Sequence, residues 1–339
     1  MDIKQEIQFL KFCFQRRKDT RFVKNVMTIG DDFSLVNLIK MGSEKQGAPL
    51  YYIAPDATGS GFFADHNRLL SYLYYADYFG LCPVVEYSKG YSYAEKEPVN
   101  GTCNPFEYYF RQPGGVSLQT LSDANMVIKC RKENAALAGK LNDTGKGYDF
   151  SEEYLNELGR ISAKYIRLND IVEPWMQDQI TKCLGEKKTL GVHVRGTDFK
   201  RNYKGHPIKI STEEYLSAAK KIFGDTSYEQ VFLATDDVEA LELFRKEFGD
   251  KLCCYADVVR SSGDETVMKS TAERKNHHYL LGLEVLRDVC TLAVCDSLVA
   301  GLSQVSFAAR IWKKSMSGEY ERISVLDKGM NLSGDICKS

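Results

Sequence analysis

Residues 189–198 read TLGVHVRGTD. Leu190, Val192 and Val194 alternate as in a short buried strand. Arg195 and Gly196 leave that strand, and Asp198 stands just past its end. In an open α/β sheet, ligands bind in the crevice beyond the carboxyl ends of the strands. A His, an Arg, a Thr and an Asp within six residues at such an end form a candidate site. An Arg there suits a phosphate, because its guanidinium is always charged and offers paired donors. The plain alternative is a surface strand end with an ordinary Arg–Asp pair.

Downstream, strands and helices alternate. A helix opens at 211–214 (STEE) and runs to about 223; 230–234 (QVFLA) is a strand that ends in Thr235, Asp236 and Asp237. A helix over 238–248, a strand over 251–255, a long apolar helix over 279–294 and a strand over 297–300 follow. Gly301 then turns the chain into Ser303, Gln304 and another helix, and 322–326 is a last strand. Such alternation with short links predicts a parallel sheet with right-handed crossovers. Its carboxyl ends face one way, so the polar clusters 193–198, 235–237 and 301–304 are expected to converge. Arg195 with Ser303 and Gln304 would hold a pyrophosphate, because Ser303 opens a helix whose free N–H groups point at the anion. Asp288, Asp236 or Asp237 would accept hydrogen bonds from a guanine edge or a ribose. Asp236 and Asp237, just before a helix, also read as caps.

The first half is less regular. Residues 50–54 (LYYIA) read as a strand running into Thr58-Gly59-Ser60-Gly61-Phe62 and a helix over about 65–79. Gly59 and Gly61 would let backbone approach a ligand at a helix N-terminus, or form a plain turn; the third glycine of a dinucleotide fingerprint and a P-loop Lys are missing. Residues 83–87 (PVVEY) are the next strand. The aromatic stretch 104–110 either contacts a substrate or plugs its own core. Helical spacing returns over 147–183, and 184–188 (LGEKK) is a polar hinge, so two domains are expected, 1–185 and 186–339.

The chain has 339 residues, 43% hydrophobic and 27% charged, with a formal net charge of −1 and no long charged run. That gives no electrostatic case for nucleic-acid or membrane binding. None of the ten cysteines forms a C-x-x-C pair, which fits neither a zinc site nor a disulfide scaffold and points to a reducing compartment. No window approaches the roughly 18–20 apolar residues of a membrane-spanning helix, and the charged N-terminus lacks a signal-peptide core. Ile7, Phe9, Leu10, Phe12 and Phe14 beside Lys and Arg fit a helix that lies on a membrane surface or packs on its own domain; the second is the expectation. A cytoplasmic protein follows, with peripheral contact at the inner face of the membrane as the alternative. Metal-dependent nucleotide-sugar transferases usually show Asp-x-Asp at a strand end, and none occurs in this chain. Arg195 and a helix end would then carry a leaving group's charge without a metal.

GVHVRGTD resembles the H-V-R-x-T-D motif of the α-1,6-fucosyltransferases and their bacterial nodulation relatives, within the superfamily that includes protein O-fucosyltransferases. The resemblance runs through His206-Pro207-Ile208, Glu213-Glu214-Tyr215, Val231 to Asp237, Asp288, Cys295 to Val299 and Ser303-Gln304-Val305, and covers about 164–309. It implies a GT-B fold of two facing Rossmann-like domains with parallel sheets. It also implies metal-independent, inverting transfer from GDP-fucose to a glycan, with the acceptor on the first domain. Carried over by position, His193 and Asp288 would hold guanine; Arg195, Ser303 and Gln304 the pyrophosphate; Asp236 and Asp237 would lie near the nucleotide; and Asp198 would orient Arg195. Two positions depart from the motif. The family's Lys after T-D is Phe199, and its Glu four residues before His-Pro is Asn202. Lys200 is one replacement, and Asp65 or Glu107 of the first domain would be the base if one is needed. The expectation is therefore a bacterial-type fucosyltransferase, with use of another nucleotide deoxysugar, or a nucleotide- or glycan-binding relative without catalysis, as the alternatives.

Overall fold

The computed structural model describes residues 3–28, 37–142, 144, 150–196, 204–225, 227–261 and 274–333. Contacts divide the chain into two units: Met1–Thr58, Asp65–Gly145 and Phe150–Asn169 form the first, and Gly59–Ala64, Lys146–Asp149 and Asp170–Ser339 the second.

In chain order the first unit contributes α1 (Ile3–Gln15), α2 (Thr20–Thr28), β1 (Leu38–Ile39), β2 (Leu50–Ile53), α3 (Phe62–Phe79, its first turn counted with the second unit), β3 (Cys82–Val85), α4 (Leu118–Asp123), β4 (Val127–Lys129), α5 (Ala136–Gly139) and α6 (Glu152–Tyr165). Its sheet has the order β1-β4-β2-β3. β2 runs parallel to β3 and β4, while β1 is antiparallel to β4, so this sheet is parallel-rich and not wholly parallel as expected. The aromatic stretch is a plug. Phe106, Tyr108, Tyr109 and Phe110 are all buried, and Asn104 pins the loop by donating from Nδ2 to the Val85 carbonyl (2.8 Å) and accepting from the Tyr87 amide (3.0 Å).

The second unit contributes α7 (Val172–Leu184), β5 (Thr189–Val194), α8 (Thr212–Gly224), β6 (Gln230–Thr235), α9 (Val238–Phe248), β7 (Leu252–Cys253), α10 (His277–Val294), β8 (Ser297–Gly301), α11 (Gln304–Ser315) and β9 (Arg322–Leu326). Its five strands are all parallel, in the order β7-β6-β5-β8-β9. Every residue of β5, β6 and β8 is buried, as in a sheet covered on both faces. Leu190, Val192 and Val194 pack with Tyr215 and Ala219 of α8 and Leu241 and Phe244 of α9. On the other face α10 passes so close that a Cβ on Gly191 would lie 3.2 Å from Leu292 and 3.1 Å from Cys295. Contacts put α7 with this unit, whereas the expected boundary fell after it. The polar hinge at 184–188 separates two elements of one body, because Arg287 of α10 donates to Gln179 of α7 (2.9 Å) and Gln230 of β6 donates to the Leu184 carbonyl (2.8 Å).

In the first unit the buried Asp77 of α3 gathers Arg21, Arg160 and Lys164 as ion pairs and accepts from the Tyr165 hydroxyl (3.0 Å). Burial raises its pKa, but the hydrogen bonds of Lys164 and Arg160 outweigh that and hold the carboxyl well below the usual range. A depressed folded-state pKa contributes stability that is present above the unfolded value of about 3.9 and is lost as pH falls below it. Asp77→Asn is therefore expected to destabilise the first unit by about 2 kcal/mol at neutral pH, since the three cations are half in water. Thermal melts of both proteins from pH 7 to pH 3 should show the difference shrinking with acid; a constant difference would exclude the ionic origin.

Candidate active site

The strand order sets the location. From β5 the chain proceeds to β6 and β7 on one side, then returns by α10 to β8 and β9 on the other. The carboxyl ends of β5 and β8 thus flank the point where the winding direction reverses, where open α/β sheets bind ligands. His193 and Arg195 leave one of these strands, Leu302, Ser303 and Gln304 the other.

The β8–α11 turn is fixed by a capping box. Ser303 Oγ accepts from the Ser306 amide (3.0 Å), and Ser306 Oγ accepts from the Ser303 amide (3.1 Å). The Ser306 hydroxyl also lies 2.7 Å from the Gly301 carbonyl oxygen. Ser303 is buried, with its Oγ 3.4 Å from His193 Nδ1. Its side chain is therefore spent on the turn, and the helix end itself is what it presents. His193 and Ser303 are brought together as expected, and Gln304 is the first residue of α11.

At the neighbouring strand end, the Gly196 amide donates to Asp236 Oδ1 (3.0 Å). A Cβ on Gly196 would lie 2.5 Å from that oxygen and 2.6 Å from Asp237 Cβ, so only glycine fits. Asp237 is buried as the N-cap of α9, accepting from the Glu239 amide (2.9 Å). The capping reading thus holds for Asp237, and Asp236 fastens the end of β5 to the end of β6. Asp198, Phe199, Lys200 and Asn202 lie outside the described residues.

Arg195 lines a small, partly open cleft with Lys209, Ile210, Tyr215, Leu302 and Lys328. Lys328 pairs with Glu214 (2.7 Å), the carboxylate that also accepts from the Ser211 amide at the start of α8 (2.9 Å). The wall carrying Lys209 is tied to the chain after β9 by the Ile208 amide on the Gly329 carbonyl (2.8 Å). Tyr215 is buried, and its hydroxyl takes a hydrogen bond from the Arg195 backbone; burial pushes its pKa up to about 12. Arg195 and Lys209, with Lys328 shared with the Glu214 carboxylate, favour an anion at this cleft. Lys209 and Lys328 were not found in the sequence. Lys328 follows a parallel strand, so the rule applied to β5, β6 and β8 would have found it at β9.

Asp288 is elsewhere. It sits midway along α10, half-buried, and burial pushes its carboxyl up to about 7 against the pull of Arg287 and Arg260. Among the described residues it has no hydrogen bond. Arg287 beside it is buried over the Tyr255 ring (3.8 Å) and the Trp175 ring (5.4 Å) and pairs with Asp257.

In the first half, Gly59 adopts φ +66°, and a Cβ on Gly59 or Gly61 would meet open space. Asp65 Oδ1 accepts from Thr58 and from Arg68, both at 3.0 Å, and burial raises its pKa. Glu107 spends both oxygens, on Thr102 (2.7 Å) and Gln112 (2.8 Å), inside the aromatic plug. Among the described residues no group of three or more His, Cys, Asp or Glu could hold a metal ion.

The structure matches those of fucosyltransferases at low sequence identity. The NodZ α-1,6-fucosyltransferase soaked with GDP-fucose aligns at 16% identity over 78% of this chain and 92% of its own, with a TM-score of 0.48. The NodZ structure from Bradyrhizobium gives the same values. POFUT1 in complex with GDP aligns at 13% identity over 83% of this chain and 99% of its own, with a TM-score of 0.45. No family model matches the sequence, and no curated protein does.

The packing of Tyr215 under β8 can be tested directly. A Cβ on Gly301 would collide with the Tyr215 hydroxyl. Gly301→Ala is expected to cost about 1–3 kcal/mol by overpacking, and adding Tyr215→Phe should recover much of that. Melting temperatures of the two single variants and the double variant give the coupling; strictly additive losses would show that the hydroxyl does not occupy the notch.

Proposed function

We propose that this chain is a glycosyltransferase that moves fucose from GDP-fucose to a glycan, with inversion and without a metal. The observation that carries this is Arg195. It leaves the central strand at the winding reversal, beside the capped start of α11, and lines a cleft with Lys209 and Lys328. A nucleoside diphosphate fits that charge. The H-V-R-x-T-D resemblance supplies guanine and fucose as the finer reading, with Asp198 orienting Arg195. In this reading the diphosphate takes Arg195 and the amides opened by Ser303 and Gln304, Lys209 adds charge from the rim, and Asp236 keeps the strand end in place for the nucleotide. Gly59 and Gly61, in open space before α3, are offered to the same donor.

The chemistry asks for charge stabilisation above all. As the glycosidic bond breaks, negative charge grows on the β-phosphate, and a fixed guanidinium binds it more strongly in the transition state than in the ground state. The base expected from the family motif is replaced at Phe199 and Asn202. The same two departures also favour a second reading, a binding protein without turnover. Release of GDP from GDP-fucose separates the two, because a binding protein releases none.

Calorimetry tests the donor. GDP should bind more tightly than UDP or CDP, because the H-V-R-x-T-D resemblance assigns guanine to the base site. Equal or tighter binding of UDP would remove guanine from the assignment.

Turnover tests Arg195. Arg195→Ala is expected to lower kcat by roughly 10²–10³-fold, the usual cost of one transition-state donor, while melting unchanged. Arg195→Lys should rescue only part, because an ammonium lacks the paired donors. Turnover by the wild type should persist in EDTA. A folded Arg195→Ala protein with near wild-type turnover, or a wild-type activity abolished by EDTA and restored by Mn²⁺, would overturn this chemistry.

A further inference from the structure

Helix α1 is apolar on two opposite sides. Phe9 and Phe12 face the body of the first unit and are 6% and 2% exposed; Phe12 meets Phe22 edge-on at 5.4 Å. Arg16 secures the end of the helix by donating to the carbonyls of Phe79 and Gly80, both at 3.2 Å. Ile3, Ile7, Leu10 and Phe14 point the other way, 72%, 48%, 63% and 65% exposed. At 100° per residue these four fall within an arc of about 60°. Scattered exposed apolar residues are ordinary, but a continuous stripe of four along one short helix marks an interaction surface.

Charge indicates what covers it. The first 28 residues hold seven Lys or Arg against three Asp or Glu, in a chain whose net charge is −1. Lys11, Arg17 and Lys18 are exposed at the stripe or just past its end. Arg17 lies 4.2 Å over the exposed Phe14 ring and donates to the Phe14 carbonyl (2.9 Å), a cation resting its stem along apolar surface. An apolar stripe with a basic rim is the pattern of a helix lying in the headgroup region of a bilayer. A second copy fits less well, since pairing two α1 stripes would bring two positive segments together.

We propose that the outer face of α1 docks on an anionic lipid surface. Ile3, Ile7, Leu10 and Phe14 enter the acyl boundary, and Lys11, Arg17 and Lys18 sit among the headgroups. No described helix is long and apolar enough to cross a membrane, so the contact is peripheral.

Cosedimentation of the full chain with vesicles tests this. Vesicles of phosphatidylcholine with phosphatidylglycerol should pellet the protein, phosphatidylcholine alone should pellet much less, and added salt should release it. The double variant Ile7→Glu, Leu10→Glu should lose at least about tenfold in partitioning, with its melting temperature kept because both positions are exposed. Lys11→Glu, Lys18→Glu should weaken binding without touching the stripe. Light scattering should give one monomeric mass for all of them. Failure to bind the anionic vesicles, equal binding by the Ile7/Leu10 variant, or equal binding to neutral vesicles would overturn the proposal. So would a wild-type dimer that the variant dissolves, which would give the face to a second copy.

Discussion

The direction reversal at β5 is the constraint on which the second unit depends. Right-handed crossovers oblige a chain that steps from β5 to β6 and β7 to place α8 and α9 on one face. When it returns to β8 and β9, the same rule puts α10 and α11 on the other. β5 is therefore covered on both sides, which is why all six of its residues are buried and why its central position is glycine. The same reversal parts the loops that leave β5 and β8. A crevice at that edge is a consequence of topology, and the chain fills its rim with Arg195, Lys209 and Lys328.

Glycine makes the edge tight. At Gly196 the backbone of one strand end closes on the carboxylate of the next, and at Gly301 a tyrosine from α8 fills the place of a side chain. Tyr215 is held from both sides, by the Arg195 backbone and by β8. The backbone of Arg195 is thus set by its strand and by a buried phenol that a glycine on the neighbouring strand admits. In the proposed chemistry, that fixed starting point would serve a charge-stabilising group.

The second unit is legible because its parallel strands write themselves as short apolar runs between helices of regular period: the strands 189–194 and 322–326 and the helix 238–248 are readable to the residue. The first unit is not. β4 has three residues and β1 two, too short for any period to register. The stretch after β3 is held by Asn104 and Gln112 bonding to backbone, which leaves no repeating pattern. In the candidate site, the strand-end rule names His193, Arg195, Asp236 and Ser303, which lie at the carboxyl ends of β5, β6 and β8. It missed Lys209, whose loop is positioned by pairing with residues more than a hundred positions later. For Asp237 the local capping preference decided its place. The choice offered for α1, membrane or domain, was too narrow, because a helix has two sides and this one is apolar on both.

The division of the chain also governs what light reports. Its two tryptophans, Trp175 and Trp312, both belong to the second unit. Trp175 lies beside the buried Arg287 guanidinium, a neighbour that makes its emission sensitive to the seam between α7 and α10. The first unit carries no tryptophan and holds the dense tyrosine cluster of α3 and the aromatic plug. Tryptophan fluorescence therefore follows one half of this protein and near-ultraviolet tyrosine bands weight the other. Two transitions read at two wavelengths would give each half its own melting curve without any label.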